Sequence, residues 1–115
     1  MKVLVCGDRN WSEEAPIRRE LEKLPSGTMI IHGAARGADT LAEKVARDLG
    51  LPFMFFPAQW ELFGKAAGPI RNMKMLACDP DLVMAFHKDI DASKGTKHMV
   101  GIAKARGIKT EVFKK

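Results

Sequence analysis

Four short stretches of this 115-residue chain gather small residues, cations and carboxylates: Gly7-Asp8-Arg9-Asn10-Trp11, Gly33-Ala34-Ala35-Arg36-Gly37-Ala38-Asp39-Thr40, Gly68-Pro69-Ile70-Arg71-Asn72 and Ser93-Lys94-Gly95-Thr96. Each suits an anion. Ser93 to Thr96 opens a helical pattern, where free backbone N–H groups and the positive dipole end favour a phosphate. Gly95 permits close approach there and the Thr96 hydroxyl adds a donor; ordinary capping by Ser93 or Thr96 is the alternative. Gly33 to Asp39 is small enough to admit a ribose or pyrophosphate, although Gly33 and Gly37 also serve a tight turn. Its spacing is not GxGxxG, so a dinucleotide site of the NAD type is not expected. Arg71 and Asn72 are expected in the first turn of a helix, where a cation opposes the dipole unless an anion compensates, which favours a ligand contact. Asp39 in a first turn either answers the dipole or binds a ribose hydroxyl. Arg9 and Arg36 are phosphate clamps or solvated loop charges, and Gly7 leaves room beside them. Trp60 and Phe63 could stack on a base, but the favoured reading is a plug over the sheet edge.

The histidines, His32, His87 and His98, have no close ligand spacing and no carboxylate fixed beside them, so neither a metal nor a cofactor is expected. One of them could act as acid or base; a solvated or core-edge role is favoured. No nucleophile elbow, HExxH or Walker A pattern occurs. Cys6 and Cys78 form no CxxC pair and are expected as buried thiols in a reducing compartment.

These stretches need a scaffold that brings them together. Lys2 to Cys6, Met29 to Ile31, Pro52 to Phe56, Asp81 to Phe86 and Lys109 to Phe113 are short, mostly apolar runs that read as parallel strands buried on both faces. Helical stripes lie between them. Ile17, Leu21 and Leu24 follow a Pro at 16 suited to a first turn, and Leu41, Val45 and Leu49 end at Gly50. Ile70, Met73, Leu76 and Ala77 follow Gly68-Pro69, and Met99, Ile102 and Ala103 end at Gly107. The alternation predicts an α/β fold, a single Rossmann-like three-layer domain over residues 1–115 with a five-stranded parallel sheet of order 3-2-1-4-5. The long connection 57–67 marks the crossover. Ligands of such sheets bind beyond the carboxyl ends of the strands, which is where all four stretches fall.

Hydrophobic residues make up 46% and charged residues 29%, which excludes a mainly disordered chain. No stretch suits a membrane span and the N-terminus lacks a signal-peptide core, so a cytoplasmic protein is expected. The net charge of +5 suits an anionic partner, either a phosphorylated small molecule or nucleic acid.

Gly33-Ala34-Ala35-Arg36-Gly37-Ala38-Asp39, then Ala67-Gly68-Pro69-Ile70-Arg71-Asn72-Met73, then Ser93-Lys94-Gly95-Thr96-Lys97-His98-Met99 resemble the YspA-like branch of the SLOG superfamily. Relatives of that branch include LOG-type phosphoribohydrolases and the DNA-processing protein A. The resemblance implies a Rossmann-like domain that binds nucleotides or their derivatives, occurs in bacteria and phages, and forms a homodimer; Met73 and Met75 could offer an adaptable contact face, and core packing explains them equally well. Arg71 and Asn72 match an Arg-Lys pair of the LOG-type enzymes, Met75 their following Met, and Gly95-Thr96 their phosphate motif. Their catalytic Glu, three positions after Gly-Thr, is here Met99. A glycosidic cleavage needs a carboxylate at its oxocarbenium-like state, so an enzyme would need a substitute such as Asp8, Asp39 or Asp89.

Three readings stay open. The first is a sensor or binding module holding a nucleotide-like ligand on Gly95-Thr96 and Arg71. The second is a hydrolase of a nucleotide N-glycosidic or phosphate-ester bond, with Arg71 on the developing charge and Asp39 or Asp8 as the carboxylate. The third is a DNA-binding module, disfavoured because the chain has no Tyr and is only 7% aromatic.

Overall fold

The computed structural model describes residues 1–115. Five strands, β1 (Lys2–Gly7), β2 (Met29–His32), β3 (Phe53–Phe55), β4 (Leu82–Phe86) and β5 (Lys109–Phe113), form one all-parallel sheet in the order β3-β2-β1-β4-β5. The α/β class and the strand order agree with the sequence reading. Between the strands run α1 (Glu14–Glu22), α2 (Ala38–Leu49), the one-turn α3 (Trp60–Phe63), α4 (Ala67–Leu76) and α5 (Gly95–Ala105). No helix is long and apolar enough to cross a membrane.

Alternation along the strands divides the apolar residues between two faces. Val3 and Val5 of β1 pack with Ile17, Leu21, Ala42, Val45 and Phe86 under α1 and α2. Leu4 and Cys6 pack with Ile31, Met75, Leu76, Met99 and Ala103 under α4 and α5. Burial on both faces holds for the central strands β1 and β4 but not for the edges. In β3, Met54 and Phe55 are exposed, and β5 is at most half-buried, because an edge strand has one sheet neighbour and little helix cover.

The helices follow the expected pattern with shifts of phase. The buried face of α2 is Ala38, Asp39, Ala42, Val45 and Ala46, so Leu41 and Leu49 flank the core instead of centring it. Gly50 closes this helix in the left-handed conformation, φ 70°. On α4, Met75 and Leu76 are buried, Ile70 is half-buried, and Met73 and Ala77 are exposed. Cys6 is a buried free thiol as expected, whereas Cys78, on the turn after α4, is only half-buried. Burial pushes the Cys6 thiol far up, which removes it from thiolate chemistry.

The connection 57–67 is not an open loop. It holds α3 and a 3-10 turn (Gly64–Ala66) that runs without a break into α4. Arg71 therefore lies in the second turn of α4, and that helix start offers no free N-terminus to an anion.

A surface network joins α1 to α2. Glu14 accepts from Lys44 at 2.7 Å and from Arg18 at 2.7 Å, and Arg18 also reaches Asp48. The Lys44 ammonium and the Arg18 guanidinium hold the Glu14 carboxyl below its ordinary range, and Arg18 does the same for Asp48. A depressed carboxyl stabilises the fold above its unfolded pKa, and that contribution is lost as pH falls through the folded value. Glu14→Gln should therefore lower the urea midpoint at pH 7, and its difference from wild type should shrink as pH falls through the depressed folded pKa of Glu14.

Candidate functional site

At the carboxyl ends of β1, β2 and β3 three loops enclose a cavity of about 230 Å³, lined by Arg9, Gly33 to Arg36, Pro57, Ala58, Trp60 and Arg71. Two glycines set how closely its walls approach. Gly7, at the end of β1, lies against the Phe86 carbonyl, where a Cβ would stand 2.3 Å from the oxygen. Gly37, at φ 78°, lies against the backbone of Asp8 and Arg9, with 2.3 Å from a Cβ to the Asp8 carbonyl oxygen. That same carbonyl accepts the N–H groups of Trp11 and Ala38, both at 3.1 Å. The first amide of α2 is thereby occupied by protein, and the loop carrying Arg9 is pinned beside the loop carrying Arg36.

Asp39 stands beneath the cavity. Its Oδ2 accepts the Gly33 N–H at 3.0 Å and the Ala35 N–H at 3.3 Å, and the side chain is buried. Burial raises the carboxyl above its ordinary range, against the pull of His32, the two loop amides and Arg71. The residue is a clamp on the β2–α2 loop and does not line the cavity. His32 holds the same loop. Its Nδ1 accepts the Ala34 N–H at 3.0 Å, which leaves the proton on Nε2 to donate to Glu43 at 2.9 Å. Ala34 is consequently held at φ 56°, a left-handed value that a residue with a Cβ adopts at a cost of about 1–2 kcal/mol.

Arg71 reaches across from α4. It donates through Nη1 to the Gly33 carbonyl and, at 3.5 Å, to the Phe56 carbonyl, and through Nε to Asn72 Oδ1 at 3.0 Å. Nη2 makes no hydrogen bond within the protein. None of Arg9, Arg36 and Arg71 has a carboxylate within 4.0 Å. Burial pulls the Arg71 pKa down, with Asp39 the main opposing charge. Trp60 does not plug the sheet edge. It is 49% exposed and forms a cavity wall, with the Arg9 guanidinium 5.8 Å above its ring. Phe63 lies in the next hollow along.

The remaining expected site residues lie to the side of this cavity. Asn72 is buried and fully engaged, donating from Nδ2 to the Gly95 carbonyl at 3.3 Å and pairing with His98 Nδ1 at 3.0 Å. It connects Arg71 to the start of α5. Ser93 caps that start by accepting the Thr96 N–H at 3.0 Å, and Thr96 is buried. Ser93, Gly95 and Thr96 do not line the arginine cavity. Asp8 accepts the Asn10 N–H at 2.9 Å and faces His87 Nε2 at 4.0 Å, beside the cavity and outside its lining. Asp89 is exposed. Met99, at the position of the LOG-type Glu, is 1% exposed and packs in the core beneath α5. No three His, Cys, Asp or Glu side chains converge in a way that could hold a metal ion. Ala34 and Ala35 belong to the small-residue stretch expected to admit a ligand, whereas the wall residues Pro57 and Ala58 carry no such signal in the sequence. They contribute shape and backbone, which carry no signal in residue type.

The family model described as "YspA, cpYpsA-related SLOG family" matches residues 1–63, the segment from β1 through β3 into α3. The Gene 61 protein of Mycobacterium phage D29 is 36% identical over 118 aligned positions, covering 93% of this chain and 91% of that protein. No solved structure matches the chain.

Proposed function

Because this chain belongs to the YspA, cpYpsA-related SLOG family, whose membership points to a nucleotide-related role in binding or processing, we propose that it binds a nucleotide or nucleotide-derived phosphorylated ligand in the arginine cavity. One observation carries this reading: three guanidinia, one of them half-buried, line a single cavity without a carboxylate partner. Arg71 is half-buried with Asp39 as its main opposing charge, Arg9 and Arg36 are exposed, and a phosphate would answer the two exposed guanidinia together with the unused Nη2 of Arg71. The backbone amides of the β2–α2 loop are held by Asp39 and His32, so the cavity is preorganised before a ligand arrives. The phosphate contacts shift accordingly from Gly95-Thr96 to Arg9, Arg36 and Arg71.

Binding without turnover fits the site better than hydrolysis. Asp39 is occupied by two amides, Met99 is core, and Asp8 lies outside the cavity lining, so no carboxylate lines the cavity as a free acid or base. A sensor or carrier of this kind, working in the cytoplasm as a homodimer, accords with the free thiols and the exposed Met73.

Arg36 is the informative substitution because it is exposed and makes no hydrogen bond within the protein. Arg36→Ala should keep the wild-type Tm without ligand and bind a nucleotide roughly 10–100-fold more weakly, the loss of one charge-assisted hydrogen bond. Differential scanning fluorimetry across a nucleotide panel reads both quantities. A wild-type chain that no nucleotide or phosphate stabilises would dismiss the reading.

A further inference from the structure

A second hollow, of about 170 Å³, adjoins the arginine cavity and shares Pro57 and Arg71 with it. Its other walls are largely apolar: Phe55, Phe56, Phe63 and Ile70, with Lys74 and the Gln59 amide as polar neighbours. Phe55 is 58% exposed and Phe63 38%, two large rings left in water on either side of one concavity. Isolated apolar residues on a surface need no explanation; rings flanking a hollow that is continuous with a cationic site do. The hollow is too small for a helix, whose diameter is about 10–12 Å. Its size and lining suit a flat ring.

Resting on the nucleotide reading above, we propose that the nucleobase of the ligand sits in this second hollow, between Phe55, Phe63 and Ile70, while its phosphate lies with Arg9 and Arg36 across the Arg71 ridge. Trp60 is the competing seat for the base; its ring faces the Arg9 guanidinium at 5.8 Å on the phosphate side, whereas in the second hollow Lys74 faces Phe63 at 6.0 Å and the Phe55 ring has no cation over it. Arg71 is immobilised by the Gly33 and Phe56 carbonyls and by Asn72, so the ridge is a fixed bridge between the two compartments. A planar guanidinium at that position touches an anion on one side and an aromatic face on the other. The lining has a single side-chain amide to read base edges, so the base is recognised mainly by shape and apolar burial. Purine nucleotides should then be favoured over pyrimidine ones through their larger ring.

Ribose 5-phosphate and adenosine 5′-monophosphate form the test pair, since they carry the same phosphate and differ by the base. NMR titration of the full chain is expected to give about tenfold or greater tighter binding of adenosine 5′-monophosphate, the effect of burying a ring's apolar surface. The double variant Phe55→Ser, Phe63→Ser should erase that gain and leave ribose 5-phosphate affinity unchanged, because both residues are exposed and lie outside the arginine cavity. Trp60→Ala should preserve the gain. Equal affinities of the two compounds in wild type overturn the proposal while the phosphate reading stands. A gain that survives the Phe variant but disappears in Trp60→Ala overturns it too, in favour of stacking on Trp60. If neither compound binds the wild-type chain, the phosphate reading falls and this proposal with it.

Discussion

Gly37→Ala is expected to be the most damaging single-methyl change in the protein, lowering stability by about 2–4 kcal/mol and Tm by roughly 10–20 °C. Two costs coincide at this position. The backbone at φ 78° and ψ −126° lies in a region that only glycine enters freely. In addition, the new Cβ would stand 2.3 Å from the Asp8 carbonyl oxygen and 2.5 Å from the Arg9 carbonyl carbon. Both are backbone atoms and cannot rotate away. The β1–α1 loop has to move, and with it go the hydrogen bonds from Ala38 and Trp11 to the Asp8 carbonyl. Gly50→Ala isolates the contact. Gly50 also has positive φ, but nothing lies within 4 Å of the place its new methyl would take, so that variant should lose only about 1 kcal/mol to backbone strain. Thermal melts of the two variants side by side check the difference. Equal losses would mean that the approach of the two loops contributes nothing. Folded Gly37→Ala should also bind nucleotide more weakly, because Arg9 moves with its loop.

Arg71→Ala should lower both binding and stability, in contrast to Arg36→Ala. The guanidinium ties the end of β2 to the residue after β3 and to α4, through the Gly33 and Phe56 carbonyls and Asn72. Its removal should lower stability by about 2 kcal/mol, the value of hydrogen bonds to a charged donor less the relief of a half-buried cation. Asp39 at the same time loses a charge that opposes its raised carboxyl pKa. Anion affinity should fall about 100-fold, equivalent to two charge-assisted hydrogen bonds of about 1.5 kcal/mol each. Arg71→Lys keeps the charge but not the planar fork and should recover only part of either loss. Urea denaturation and nucleotide titration measure the two effects separately. A fully stable Arg71→Ala protein with unchanged nucleotide affinity would remove Arg71 from the site.

The contrast between the two arginines shows why residue type alone did not assign roles. Arg36 and Arg71 look equivalent in the sequence: each is a lone cation near a glycine ahead of a helical stripe. One ends as a free donor at a cavity rim and the other as a crosslink to two distant carbonyls, those of Gly33 and Phe56, and to the neighbouring Asn72. By residue type Asp39 reads as a dipole partner or a ribose contact, and Asn72 as a ligand contact. Their work, clamping a loop and joining α4 to α5, is internal to the protein.

The α/β class, the parallel sheet and its order were written locally, in runs of apolar residues whose length and period differ between strand and helix and in the long connection after β3. The clustering of glycines and cations beyond the carboxyl ends of the strands was legible for the same reason, since direction along the chain sets which edge a loop occupies. Folding alone decided which of those loops share a wall. The 3-10 turn that fuses α3 to α4 carries Arg71 into a second turn and out over β2, and it directs Asn72 toward Gly95, leaving Gly95-Thr96 beside the cavity. The exposed faces of β3 and β5 likewise depend on where helices happen to cover the sheet. Local periodicity encodes what each segment becomes, whereas the meeting of groups 38 residues apart, as between the Arg71 guanidinium and the Gly33 carbonyl, depends on the packed path of everything between them.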